Sequence, residues 1–166
     1  MISRGTMRRT AVNLEALGGA DLFAGLSPGD RRDLAAALRA MRYERGELVL
    51  REGEPGATML IVAEGTLVAT THAPDGAPQV LNRMGPGEVL GEMALLDPAP
   101  RSATVVAESQ AVVYELTHDA LDALRRHAPA TVAAIERAAI RDVTRRVLHL
   151  EERIEQELAR LALGSR

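Results

Sequence analysis

The chain has 166 residues, 46% of them hydrophobic and 26% charged; its formal net charge is −3, and all 20 of its Lys+Arg residues are Arg. Without Lys or Cys it cannot form a Schiff base, use a P-loop lysine or a cysteine nucleophile, or hold a disulfide or a thiolate-bound metal. The acidic balance argues against a general nucleic-acid binder, and one Phe, two Tyr and no Trp leave almost no surface for base stacking.

In chain order, residues 1–12 read as a flexible basic tail: Arg4, Arg8 and Arg9 are not followed by the apolar stretch of a secretory signal. The longest apolar runs, such as Met59 to Ala63, fall well short of the ~20 residues a membrane helix needs. With no cysteine, the expectation is a cytoplasmic chain. Residues 11–42 read as helical, from the spacing of Leu14, Leu17, Leu22, Phe23 and Leu26. Ser27-Pro28-Gly29-Asp30 has the form of a helix start, with a Ser cap, Pro in the first turn and an acid at the positive end of the dipole. Leu34, Leu38 and Met41 continue one apolar face.

Residues 43–116 read as β-structure. Apolar and β-branched runs recur at Leu48–Leu50, Met59–Val62, Thr66–Thr71, Val80–Leu81, Val89–Leu90, Thr104–Ala107 and Ala111–Leu116. Turn signals part them at Gly53–Gly56, Glu64–Gly65, Pro74–Gly76 and Gly85–Gly87. Short strands so spaced predict a sandwich or barrel. From residue 117 the pattern is helical again: Thr117 and Asp119 open a helix of about ten residues, and Pro129 begins a longer one. Ile140, Val143, Val147, Leu150, Ile154 and Leu161 keep a 3,4 spacing for about three heptads, with Glu157 in the remaining slot. Such a helix is on the order of 50 Å long, too long for a domain of this size to cover, so part of it is expected to project and pair with a second copy.

The chemistry concentrates between residues 85 and 107. Gly91 lets backbone approach a ligand closely, and a short helical turn over Glu92–Leu96 would aim N–H groups at an anion. Arg101 offers a planar bidentate contact to a phosphate, and Ser102 adds a hydroxyl. Glu92 suits a sugar hydroxyl rather than a phosphate. The set is complementary to a molecule carrying both a phosphate and a free ribose hydroxyl. The four His, His72, His118, His127 and His149, are scattered; neither a metal site nor a catalytic triad is expected.

The run Gly91-Glu92-Met93-Ala94-Leu95-Leu96, then Pro100-Arg101-Ser102-Ala103-Thr104-Val105, resembles the phosphate-binding cassette of the cyclic nucleotide-binding domain family. Asp21 to Ser27 looks like that family's helical opening. Arg51 to Gly56 and Ile61 to Gly65 look like its glycine-punctuated strands, so the likeness runs over about residues 20–155. It implies an α+β fold: an eight-stranded, jelly-roll-like β-roll with N-terminal helices over residues 13–128, and a long C-terminal helix over 129–163 that is both ligand lid and dimerisation coiled coil. It places Gly91, Glu92, Met93, Ala94, Arg101, Ser102 and Ala103 at the ligand, with Glu92 on the ribose 2′-hydroxyl and Arg101 on the cyclic phosphate. The base would be capped by the C-terminal helix near Asp142 to Val147, with Arg145 and Arg146 the polar candidates.

Two positions depart from the usual pattern. Leu90 stands where the family often has Phe, and Ser102 follows the arginine. Thr at the latter position is associated with cGMP and Ala with cAMP in eukaryotic kinases, whereas Ser resembles the bacterial cAMP-responsive transcription factors. The expected ligand is therefore cAMP, with cGMP and cyclic dinucleotides as alternatives. No helix-turn-helix follows, so DNA binding is not expected, and the chain is read as a non-enzymatic stand-alone sensor or a fragment of something longer, with room for a protein partner. The competing reading is a ligand-free dimeric interaction scaffold.

Overall fold

The computed structural model describes residues 6–7, 12–13, 23, 25–72, 76–93 and 99–164. After a two-residue strand β1 (Thr6–Met7) come α1 (Pro28–Ala37), β2 (Arg39–Tyr43), β3 (Leu48–Leu50), β4 (Thr58–Glu64) and β5 (Leu67–His72). Then follow β6 (Pro78–Met84), β7 (Val89–Leu90), β8 (Thr104–Ala107), β9 (Ala111–Thr117), α2 (His118–His127) and α3 (Pro129–Gly164). The strands form two antiparallel sheets, ordered β1-β2-β9-β4-β7 and β3-β8-β5-β6. The expected roll is strands β2–β9. Thr6–Met7, within the segment read as a tail, adds a short strand at the edge beside β2.

The central strands explain why the sequence showed solid apolar runs there rather than alternation. In β4, Met59 and Ile61 face a core shared with the helices, while Leu60 and Val62 face the interior of the roll. In β9, Tyr114 and Leu116 take the helical side and Ala111 and Val113 the roll side. A strand buried on both faces has no polar face to alternate with.

One boundary needs correction. Residues 39–42, read as the end of a helical zone, belong to strand β2 (Arg39–Tyr43). The helix stops at Leu38, whose backbone is extended (φ −80°, ψ 150°). Five residues then pair with β9, from Arg39 opposite Glu115 to Tyr43 opposite Ala111. The spacing of Leu34, Leu38 and Met41 mimics a helical face, but long-range pairing and burial of Ala40 and Tyr43 on opposite sides of the sheet override it. Leu14, Leu17 and Leu22 lie outside the described residues.

The start of α1 forms as its residues dictate. Ser27 Oγ accepts from Asp30 N–H (3.1 Å), and Ser27 N–H donates back to Asp30 Oδ2 (3.2 Å), a closed capping box with Pro28 in the first turn. The same carboxylate reaches the root of α3: the buried Thr131 hydroxyl donates to Asp30 Oδ1 at 2.7 Å and also lies 3.2 Å from Asp33 Oδ2. Thr117 caps α2 by accepting from Ala120 N–H at 3.1 Å. Over its first turns α3 is core, with Val132, Ile135, Ala138 and Ala139 buried. Beyond them Ile140, Val147, Leu148, Leu150, Ile154, Leu158 and Leu161 are 51–61% exposed. With 36 residues the helix is about 54 Å long, and its second half carries an apolar seam that its own domain does not cover. Among the described residues no helix is long and apolar enough to cross a membrane.

Candidate functional site

The site is assembled where β7 leaves the sheet. Strand β7 pairs with β4, Leu90 opposite Leu60, and the chain then turns at Gly91 with φ +71°. That conformation strains any residue with a side chain, and the space is already taken. A Cβ there would collide with Arg101 Nη1 and stand 2.7 Å from the Thr58 carbonyl oxygen. Glycine thus leaves room for the Arg101 guanidinium beside the Thr58 carbonyl at the head of β4.

Arg101 is held from two sides. Its Nη2 donates to the Thr58 carbonyl (2.7 Å) and to Thr58 Oγ1 (2.6 Å). Its own backbone is clamped to the turn before β4: Arg101 N–H donates to Glu54 O (2.9 Å), Gly53 N–H to Arg101 O (2.9 Å) and Gly56 N–H to Ala99 O (3.0 Å). Pro55 and Pro100 bridge between them. Gly56 permits this clamp, because a Cβ there would come within 2.5 Å of Ala99 O. Two hydrogen bonds on its backbone and two from its Nη2 hold the guanidinium in place, the preorganisation an anion site requires.

Burial lowers the pKa of the half-buried Arg101 guanidinium from its ordinary value, while the carboxylates of Glu115 and Glu92 oppose that shift. The cation stays charged, and it is partly stripped of water, so an incoming anion regains interaction energy there that bulk water would otherwise supply. Glu92, next in sequence to Gly91, is 5% exposed. An acceptor-only carboxylate sunk beside a preorganised cation separates the site into a place for negative charge and a place for hydroxyl donors.

Both side chains line a cavity of about 1050 Å³, at the upper end of the range for small-molecule sites, about 300–1,000 Å³. Of the residues singled out in the sequence, the cavity gathers Gly91, Glu92, Met93, Arg101, Ser102, Ala103 and Arg145. Ala94 and most of the expected helical turn over Glu92–Leu96 lie outside the described residues, as do the side chains of Asp142 and Arg146. Arg145 comes from α3, so the long helix forms one wall. One turn further on, His149 lines the same wall; sequence reasoning missed it because no motif fixes the register of α3 against the roll. Thr58 was missed too, its contact to Arg101 spanning 43 residues. Its position at the head of a strand preceded by the Gly53–Gly56 turn was the available signal. Among the described residues no group of three His, Asp or Glu is placed to hold a metal ion.

The family model for the cyclic nucleotide-binding domain matches residues 40–128. The chain is 38% identical over 109 residues to the CRP-like cAMP-activated global transcriptional regulator of Mycobacterium tuberculosis, covering 64% of this chain and 48% of that protein. It is 35% identical over 115 residues to the acetyltransferase Pat of Mycolicibacterium smegmatis, covering 69% of this chain and 34% of the enzyme. The chain thus spans about a third to a half of the length of these curated relatives. A crystal structure of a cyclic nucleotide-binding domain from Methylobacillus flagellatus superposes with a TM-score of 0.75 at 27% identity, covering 87% of this chain and 81% of that one. With the Gly-Glu turn and the clamped arginine lining one cavity of the roll, the chain belongs to the cyclic nucleotide-binding domain family.

Proposed function

We propose that this chain is a cyclic nucleotide sensor, with cAMP its first ligand, and that it transmits the bound state through α3. The observation that carries this reading is the fixed, half-buried Arg101 over Gly91 with Glu92 buried beside it, in a cavity large enough for a nucleotide. The cyclic phosphate docks on Arg101 and the N–H groups of its turn, and the ribose hydroxyl donates to Glu92. Ser102 and Ala103 leave room at the phosphate, Gly91 and Met93 belong to the turn beside it, and Ala94, outside the described residues, is the further ligand candidate. The base reaches toward α3, where Arg145, with Arg146 beside it in sequence, is the polar candidate. Residues 13–128 then form the binding unit and 129–163 the lid and dimer helix. A relative named for activation by cAMP, and Ser102 after the arginine, favour cAMP over cGMP. The role is regulatory: the residues of the site bind and orient, and none is placed as a nucleophile. The exposed seam of α3 supports pairing with a second copy of the chain, and the composition fits the cytoplasm.

Thermal unfolding with saturating cAMP, cGMP or a cyclic dinucleotide tests the assignment, because a ligand that binds only the native state raises the melting temperature by mass action. The expected result is a rise with cAMP larger than with either competitor. No rise with any of the three would leave the ligand-free scaffold as the better reading.

A further inference from the structure

His149 lines the α3 wall of the cavity together with Arg145, four residues before it. It also lines a smaller cavity of about 390 Å³ along α3, with Arg141, Arg145 and Glu152. Its Nδ1 lies 3.6 Å from Glu152 Oε2, and its side chain is 78% exposed. The other charged groups facing the main cavity are Glu88 and Glu92 near β7 and Arg101 before β8. Of the four His in the chain, His72 sits on β5 beside Glu52 and His118 on α2 near Asp122; neither they nor His127 lines the cavity. A carboxylate or a guanidinium keeps its charge between pH 5.5 and 8, and an imidazole does not.

We propose that His149 makes ligand affinity proton-linked: its imidazolium adds a cation to the α3 wall of the cavity, so the site binds its anionic ligand more tightly as the pH falls. This rests on the cyclic nucleotide reading above. The sign follows from charge. The ligand's phosphate is anionic throughout this range, so it favours the protonated form of a neighbouring imidazole, and by linkage protonation favours the ligand. On its own helix Glu152 Oε2 stands 3.6 Å from His149 Nδ1, and Arg141 and Arg145 line the same stretch; Glu88, Glu92 and Arg101 face it across the main cavity. Among the described residues His149 is the one imidazole lining that cavity.

Calorimetric titration of the full chain with cAMP at pH 5.5, 6.5 and 8.0, in two buffers of different ionisation enthalpy at pH 6.5, tests the proposal. The expected dissociation constant is about threefold lower at pH 5.5 than at pH 8.0, the order of an exposed charge pair, with fractional proton uptake on binding at pH 6.5. His149→Gln, at an exposed helical position that tolerates the change, should flatten the profile and abolish the uptake. A wild-type affinity that is strong but pH-independent, or a His149→Gln variant that keeps the wild-type slope, overturns the proton linkage and leaves the ligand assignment intact. A wild type that binds no cAMP at any of the three pH values overturns the ligand assignment, and the linkage with it.

Discussion

Arg101 is the proposed phosphate anchor because of what surrounds it. A surface arginine would hold a phosphate weakly, screened by water and free to rotate. This one is half-buried, bonded twice to Thr58 and pinned by its own backbone to the Gly53–Gly56 turn. On the proposed reading, truncating it should remove charge-assisted donors from a partly dry cavity and cost at least about 2 kcal/mol in binding. Arg101, Glu92 and Gly91 were legible in the sequence because a short motif fixes their types and order. Thr58 and Gly56 were not, since their parts depend on which strand head the cassette folds back against. His149 was hidden for a related reason: a helical register against a roll is set by packing over the whole of α3, not by any local pattern.

The elements divide the same way. Seven of the strands and all three described helices follow from apolar runs, turn glycines and caps written into the sequence. Strands β1 and β2 do not: β1 falls in the segment read as a tail, and the local spacing of β2 is compatible with a helix, so that only its pairing with β9 decides. Helix α1 is tied to α3 through Asp30. Hydrogen bonds from the Ser27 side chain and then from Thr131 hold the Asp30 carboxyl below the usual carboxylate range, with smaller help from the Ser27 backbone and Arg137, while burial acts in the opposite sense. A carboxylate whose pKa is lowered by folding stabilises the fold above the ordinary carboxylate range, and that contribution disappears as the pH falls below about 4. Asp30→Ala should therefore cost about 1 kcal/mol at pH 7, the order of a helix cap, or roughly 2–4 °C in melting temperature for a chain of this size. The gap to wild type should narrow at pH 3. Melting curves at the two pH values decide it; an equal deficit at both would show that Asp30 acts through packing rather than charge.

For the whole molecule, the proposed link between ligand and assembly is α3. Its first turns are sealed in the helical core, its middle turns wall the cavity through Arg145 and His149, and its last turns expose the seam. The heptad spacing made the projection legible in advance, because no domain of this length can cover such a helix. In sedimentation the chain should run as a dimer, and Leu150→Asp with Ile154→Asp should yield a folded monomer, since each charge would sit in the seam. A wild-type monomer would remove dimerisation from the reading. The central claim is ligand binding through Arg101, and calorimetric titration of cAMP into the wild-type chain and into Arg101→Ala tests it most directly. The wild type should bind, and the variant should bind at least about 2 kcal/mol more weakly, roughly thirtyfold in dissociation constant; equal affinity in the two proteins would contradict it.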